Sequence, residues 1–212
     1  MPRYYVEPPR SRTLGNLLDE MADKYPDKEA IIFEGQKITY KEFQRKAEAL
    51  AKGFLSIGIG KGHRVALLMS NKPEFMFTLF GLAKIGAILI GVSTWSKVRE
   101  LNYVLRHSDA SALILMDRFL KNDYISMLHE ICHELRGSPP GSLQSKTLPF
   151  LKQVICYSSM KYPGTYGFEQ LYTLGEKISD EQLKNAQEEV KPRDIAYILY
   201  TSGSTATPKG VT

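Results

Sequence analysis

The chain has 212 residues, of which 43% are hydrophobic and 24% charged, and its formal net charge is +5. This composition excludes disordered and collagen-like chains, and the length suits one sizeable globular domain. Acidic residues are interleaved with the basic ones, so the charge fits a small anionic ligand and argues against a nucleic-acid partner.

The first part of the chain predicts a helix, a hairpin and a second helix. TLGNLLDEMADKY follows a helical period behind Thr13 as N-cap, and AIIFEGQKITY predicts a hairpin that turns at Glu34 and Gly35. Thr39 and Glu42 are spaced as a capping box at the start of the second helix. The apolar face expected on the first helix consists of Leu14, Leu17, Leu18, Met21 and Tyr25.

The middle of the chain alternates buried strands with helices. RVALLMS, AILIGVS and SALILM are strand candidates, separated by helices that begin near Pro73 and Ser96. This alternation is typical of crossover units, so it predicts an α/β fold with a mainly parallel sheet.

The last part of the chain predicts a helix over roughly Arg118 to Leu135, followed by a mobile surface loop at about 137–149 within the same domain. A strand in LKQVICY, a helix near Ser179 to Glu189 and a final strand in DIAYILY complete the pattern.

The targeting and redox signals are those of a cytoplasmic protein. Cys132 and Cys156 are the only cysteines, and their spacing fits neither a disulfide framework nor a metal knuckle. The N-terminal segment lacks the apolar core of a secretion signal, and Lys84 interrupts the longest apolar stretch. We therefore expect a cytoplasmic location without a transmembrane segment, and peripheral attachment to a membrane stays open.

A loop of small hydroxyl and glycine residues follows the final strand, and a lysine closes it: TSGSTATPKG, residues 201–210. Glycine lets a backbone curl closely around phosphate oxygens, hydroxyls add hydrogen-bond donors, and the lysine adds a point charge. A Ser/Gly-rich surface turn is the competing interpretation. A Walker loop is excluded, because Pro208 and Gly210 flank Lys209 where that loop has Gly and Ser or Thr.

This loop resembles, almost letter for letter, the phosphate loop of the adenylate-forming superfamily of acyl-CoA synthetases, luciferases and peptide-synthetase adenylation domains. ITYKEF, GLAKIGAILIGVS, ELNYVLRHSDASALIL and DIAYILY resemble the same family in the same order. The middle segments look closer to fatty and aromatic acyl-CoA synthetases than to peptide-synthetase modules, which remain an alternative. Residues 1–212 are then expected to form the N-terminal portion of the large AMP-binding domain, with the C-terminal lid domain absent.

The resemblance implies a two-step ligase reaction. A carboxylic acid, fatty or aromatic, would react with ATP and Mg²⁺ to give an acyl-adenylate and pyrophosphate, and a thiol, coenzyme A, would then take the acyl group. The phosphate-binding residues implied by the family are Thr201, Ser202, Gly203, Ser204, Thr205, Lys209 and Gly210. Ala206 departs from the glycine common in the family, and we expect it to be tolerated. No catalytic residue is assigned, and the chain alone is expected to be inactive.

Two other functional classes are open to the sequence. His129, Glu130 and His133 match the H-E-x-x-H pattern of zinc hydrolases on the expected helix, where the two histidines would share one face. An accidental match on a surface helix is the simpler interpretation, because no later histidine supplies a third ligand. A non-catalytic fold remnant or interaction protein is the second class, and the intact phosphate loop argues against it.

The remaining candidates have ordinary structural explanations. Gly58, Gly60 and Gly62 follow a helix rather than a strand, which fits a helix stop and a turn and not a dinucleotide-binding loop. His63 and His107 lie at element ends, where capping or surface roles are expected. Trp95 follows a strand end that could line a ligand crevice, but packing is the expected role.

Overall fold

The computed structural model describes residues 12–201 and 209–212, which form alternating helices and strands. The helices are α1 Leu14–Lys24, α2 Tyr40–Ser56, α3 Pro73–Lys84, α4 Val98–His107, α5 Tyr124–Ile131, α6 Gln170–Gly175 and α7 Asp180–Glu189. The strands are β1 Glu29–Phe33, β2 Gln36–Thr39, β3 Arg64–Leu68, β4 Ile88–Gly91, β5 Ala112–Met116, β6 Arg118–Phe119, β7 Asn122–Asp123, β8 Gln153–Tyr157, β9 Tyr166–Gly167, β10 Tyr197–Thr201 and β11 Lys209–Val211.

The main sheet is parallel except at one edge. Its strand order in the described part is β11-β10-β4-β3-β5-β8-β9, and only β11 runs antiparallel to its neighbour. The predicted α/β class with a mainly parallel sheet is therefore confirmed. Parallel strands all end on one side of a sheet, so the loops that follow β3, β4, β5, β8 and β10 share one edge.

Helices cover both faces of this sheet, and the sheet separates the core into two apolar clusters. Val65 and Leu67 of β3 face the cluster that contains residues of α1, α2, α3 and α6. Ala66 and Leu68 of the same strand face the cluster built with α4 and α5. Strands β3 and β5 therefore bury both of their faces, which explains the continuous apolar runs in RVALLMS and SALILM.

Local signals place several element ends where the sequence predicted them. Thr39 Oγ1 accepts the Glu42 amide at 3.2 Å, and the Glu42 carboxylate accepts the Thr39 amide at 2.9 Å. The β1–β2 hairpin turns at Glu34 and Gly35, both with positive φ. Gly58, which follows the C-cap residue Ile57 of α2, has φ +82°, a left-handed conformation that favours glycine and stops a helix.

The helix predicted from Arg118 to Leu135 is shorter at both ends. A two-stranded ribbon of β6 and β7 occupies 118–123, and α5 begins at Tyr124 because the Asp123 carboxylate accepts the Ser126 amide at 2.9 Å. The helix stops at Ile131, and a separate 3₁₀ helix, His133–Gly137, follows. The prediction missed a cap and a ribbon inside a stretch with helical periodicity.

The segment predicted as a mobile surface loop, 137–149, contains neither helix nor strand beyond Gly137, but it is not confined to the surface. Leu143, Ser145 and Leu148 are buried. The Glu134 carboxylate accepts the Lys146 amide at 3.2 Å and the Ser145 hydroxyl at 3.4 Å. The expectation of a surface segment is wrong for these side chains, because two leucines extend the core beside α5; its mobility stays a prediction.

Candidate functional site: a crevice beside the predicted phosphate loop

A crevice of about 770 Å³ opens at the carboxyl ends of β3 and β4. The chain leaves β3 for α3 on one face of the sheet, and it leaves the adjacent β4 for α4 on the other face. This is a topological switch point, the place where open α/β sheets bind ligands.

The lining of the crevice is mixed. Its apolar residues come from the β1–β2 hairpin, α3 and the ends of several strands, and they include Phe33, Met69, Phe75, Met116, Phe119 and Leu199. Its polar residues follow β3 and β4, and they include Ser70, Asn71, Lys72, Ser93 and Thr94. An apolar cleft with a few polar groups is the usual composition of a small-molecule site.

The base of the predicted phosphate loop lies next to this crevice. Thr201 is the last residue of β10, and it pairs with Lys209, the first residue of β11. Leu199 and Tyr200, which precede Thr201, line the crevice. The predicted final strand is thus present, and it ends at Thr201, where the sequence predicts that the phosphate loop begins.

Of the other predicted loop residues, Gly210 belongs to the described part of the chain and the rest do not. Gly210 lies opposite Tyr200 in the β10–β11 pair, and a Cβ atom there would come within 3.1 Å of Ile198 Cγ2. Ser202, Gly203, Ser204 and Thr205 lie outside the described residues, as does Ala206, so the roles given to them by resemblance stay predictions.

Gly91 lets β10 approach β4 at the edge of the crevice. Leu199 pairs with Gly91, and Tyr197 lies one pleat earlier on the same face. A side chain on Gly91 would overlap the Tyr197 hydroxyl. Burial raises the pKa of Tyr197, so this hydroxyl stays protonated at neutral pH. Sequence reasoning did not single out Tyr197.

A charged and aromatic group borders the crevice where α3 begins. The Lys72 ammonium donates to Tyr157 Oη at 3.2 Å and lies 4.5 Å from the centre of that ring. Tyr157 Oη in turn donates to Glu74 Oε1 at 3.3 Å. Sequence reasoning missed these residues, although Lys72 closely follows a predicted strand at the edge where ligands bind.

Trp95 does not have the packing role predicted for it. Its side chain is 76% exposed, whereas the adjacent Thr94 lines the crevice. The Thr94 carbonyl accepts the Asn122 amide at 2.9 Å and the Tyr124 hydroxyl at 2.7 Å. Asn122 of β7 and Tyr124, the first residue of α5, therefore hold the main chain of this loop, and the indole of Trp95 lies in solvent.

The H-E-x-x-H pattern does not form the expected pair of ligands. Because α5 ends at Ile131 and Cys132 leaves helical geometry, His129 and His133 do not share one helical face. His133 is 87% exposed in its side chain, and burial lowers the pKa of His129. Within 12–201 and 209–212, no cluster of three His, Cys, Asp or Glu residues could hold a metal ion.

The two other histidines differ in their surroundings. His63 Nδ1 lies in the Gly60–Gly62 turn, 3.1 Å from the Gly60 carbonyl oxygen, which is the local role expected for it. His107 ends α4, and its Nδ1 forms a 2.8 Å hydrogen bond with Tyr200 Oη. The predicted surface role of His107 therefore leaves out its contact with β10, the strand that precedes the predicted phosphate loop.

Comparison with known proteins identifies the family. The model of the AMP-binding enzyme family matches residues 18–212. This chain belongs to the AMP-binding enzymes. It is 37% identical over 201 residues to YngI of Bacillus subtilis (strain 168), whose name assigns it provisionally to the acyl-CoA synthetases. It is 32% identical over 207 residues to the mitochondrial medium-chain acyl-CoA ligase ACSF2 of Danio rerio.

These matches cover nearly all of the chain but only part of each relative. They span 94% of the chain and 37% of YngI, and 97% of the chain and 34% of ACSF2. The chain therefore corresponds to about a third of the length of these curated relatives.

Solved structures have the same fold at low identity. The anthranilate CoA ligase AuaEII in complex with anthranoyl-AMP superposes with a TM-score of 0.77 at 22% identity, covering 96% of this chain and 35% of that one. A long-chain-fatty-acid-CoA ligase (FadD1) from Archaeoglobus fulgidus gives 0.72 at 21%, covering 97% and 37%. The α/β fold of this AMP-binding chain is thus that of the first part of adenylate-forming ligases.

In the described part of this family member, none of the helices is long and apolar enough to cross a membrane.

Proposed function

We propose that this chain is the N-terminal part of an ATP-dependent carboxylic acid ligase. The enzyme forms an acyl-adenylate with release of pyrophosphate, and then transfers the acyl group to coenzyme A. The observation that carries the proposal is the position of Thr201 and Lys209 at the carboxyl end of β10, beside the crevice at the β3–β4 switch point. The names of YngI and ACSF2 support coenzyme A as the thiol, rather than the carrier of a peptide synthetase.

Lys209 and Thr201 fit the phosphates of ATP. Both side chains are exposed at an edge of the sheet where a ligand can reach them. An ammonium group follows the charge that builds up on pyrophosphate as it leaves, and the threonine hydroxyl donates a hydrogen bond. Mg²⁺ is proposed as the companion of ATP, and it neutralises charge on the phosphates when bound.

The crevice supports an acid with an apolar body, fatty or aromatic. Phe33, Phe75 and Phe119 offer flat apolar surface, and Met69 and Met116 offer flexible side chains that adapt to different shapes. Burial of a methylene group contributes about 0.8 kcal/mol, so a medium-length chain gains several kcal/mol in such a cleft. We also propose a cytoplasmic location, which two buried, unpaired cysteines support.

The test is ATP–pyrophosphate exchange by the full-length protein with a panel of fatty and aromatic acids. We expect exchange that depends on one of these acids, and a loss on the order of a hundredfold in Lys209→Gln, as for removal of one charged contact to a transition state. Lys121→Gln is the matched control, because Lys121 is an exposed lysine beside the same edge of the sheet. Absence of exchange with every acid, or equal effects of both substitutions, would contradict the proposal.

The 212-residue chain alone is proposed to be inactive in this assay. It spans 34–37% of the length of YngI and ACSF2, so most of a ligase of their size lies outside it. Robust exchange by the purified 212-residue chain would overturn this part of the proposal.

A further inference from the structure

The last two residues of β10 lie beyond the end of its pairing with β4. The parallel pairing of β10 with β4 runs from Tyr197 to Leu199 and stops at Gly91. Among the described residues, Tyr200 and Thr201 pair in the sheet only with β11, an edge strand of three residues. The base of the phosphate loop therefore extends past the parallel pairing of β10 with β4.

The side chain of Tyr200 supplies a second anchor. Its hydroxyl forms the 2.8 Å hydrogen bond with His107 Nδ1, and the two rings meet edge to face at 5.7 Å. The Tyr103 ring stacks on His107 at 5.1 Å and meets Tyr200 edge to face at 6.4 Å. Such aromatic contacts add directional stabilisation to the burial of the rings.

This three-ring cluster is tied to a well-packed part of the protein. Tyr103 and His107 are one helical turn apart on α4, and the buried Leu101, Val104 and Leu105 hold that helix against the sheet. The Tyr200 side chain points to the same face, where it packs against the α4 and α5 cluster. A displacement of Tyr200 would therefore have to break contacts with a fixed helix.

We propose that His107, stacked on Tyr103, is a positioning residue that sets the base of the phosphate loop through Tyr200. The hydrogen bond and the ring contacts fix Tyr200, and the β10–β11 pairing carries this restraint to Thr201 and Lys209. His107 touches none of the reacting groups in this scheme. The inference rests on the proposed function for its effect on ATP, whereas the restraint on the strand end is independent of it.

Two substitutions remove the hydrogen bond and leave aromatic rings in place: His107→Phe and Tyr200→Phe. The net contribution of one hydrogen bond changes an equilibrium constant about fivefold, so each single substitution should raise the KM for ATP in ATP–pyrophosphate exchange by about that factor. The double variant should lose no more than either single one, because both remove the same interaction. His107→Gln keeps an amide that can reach the tyrosine hydroxyl, and it should restore most of the affinity.

His63→Phe is the matched control, because His63 forms its hydrogen bond in a turn at the opposite end of β3. We expect no change in its KM for ATP. An unchanged KM in both single variants, or additive losses in the double variant, would overturn the role of His107.

Amide hydrogen exchange separates this inference from the proposed function. In His107→Phe the amides of Tyr200 and Thr201 should exchange faster, while that of Leu67 in the centre of the sheet stays protected. If the unsubstituted protein shows no ATP–pyrophosphate exchange, the proposed function fails, and the amide measurement still tests the restraint. Unchanged protection of Tyr200 and Thr201 would overturn the inference.

Discussion

Lys84 is a buried charge, and its removal tests how much its ion pairs contribute to the free energy of unfolding. Its side chain is 0% exposed, and its ammonium pairs with Asp19 of α1 and with Glu48 of α2 at 3.3 Å. Gln187 of α7 completes the group at 3.4 Å. One lysine on α3 thus connects three other helices, and Lys84→Met keeps its apolar stem while removing the charge.

The loss of stability expected for Lys84→Met depends on how exposed the carboxylates of Asp19 and Glu48 are to water. Removing one member of a fully buried ion pair costs about 3–5 kcal/mol, because the other charge is left without compensation. Here the side chains of Asp19 and Glu48 are 26% and 38% exposed, so water can partly replace the ammonium. Asp19 also keeps hydrogen bonds from Gln44 at 2.7 Å and Gln187 at 2.6 Å. We therefore expect a loss of about 2–3 kcal/mol in the free energy of unfolding.

The assay is urea and thermal unfolding of the 212-residue chain at pH 7, followed by circular dichroism. For a domain of this size, the expected loss lowers the Tm by roughly 4–12 °C. Lys184→Met is the matched control: Lys184 is 75% exposed in its side chain and only 3.9 Å from Glu188, so its loss should cost under about 0.5 kcal/mol. Equal stability of Lys84→Met and the unsubstituted chain would refute the reasoning.

The same group predicts a response to acid. Burial by itself raises the pKa of Asp19, but hydrogen bonds from Gln44, Lys84 and Gln187 and the charge of Lys84 outweigh it and hold the pKa below its ordinary value of 3.8. A carboxyl with a lowered pKa stabilises the folded state above its unfolded pKa, and this stabilisation is lost as the pH falls through the folded pKa. Lys84→Met should therefore show a smaller loss of stability than the unsubstituted chain as the pH falls below 3.8.

Two further predictions concern the edge of the crevice and a helix cap. Gly91→Ala should lower the free energy of unfolding, measured by thermal unfolding, by about 1–3 kcal/mol, because the new methyl group displaces the Tyr197 hydroxyl. Adding Tyr197→Phe should recover part of this loss, and no recovery would show that the strain lies elsewhere. Thr39→Ala should lower the free energy of unfolding by about 1 kcal/mol, because it removes the oxygen that accepts the Glu42 amide hydrogen bond. Thr39→Ser keeps a hydroxyl and should lose much less in the same assay. Equal losses in the two variants would show that the cap is not the cause.

The sequence by itself determined the elements whose signals are local. The Thr39–Glu42 capping box needs two residues three positions apart, and the glycine after α2 needs only its own backbone conformation, so both were read correctly. The apolar runs of β3 and β5 predicted a sheet buried on both faces. The phosphate loop over residues 201–210 stays a prediction, which ten consecutive positions support by their resemblance to a known family.

Tertiary structure decided the features that join distant parts of the chain. On α1 the buried residues are Gly15, Leu18 and Ala22, whereas Leu14 and Leu17, predicted on its apolar face, are each more than a third exposed. Periodicity shows that a helix has an apolar face but not how far it turns toward its neighbours, and α1 turns so that Asp19 reaches Lys84. The crevice needs the strand order, and the contact between His107 and Tyr200 joins residues 93 positions apart. Such distances depend on how layers pack, which no local pattern of residues encodes.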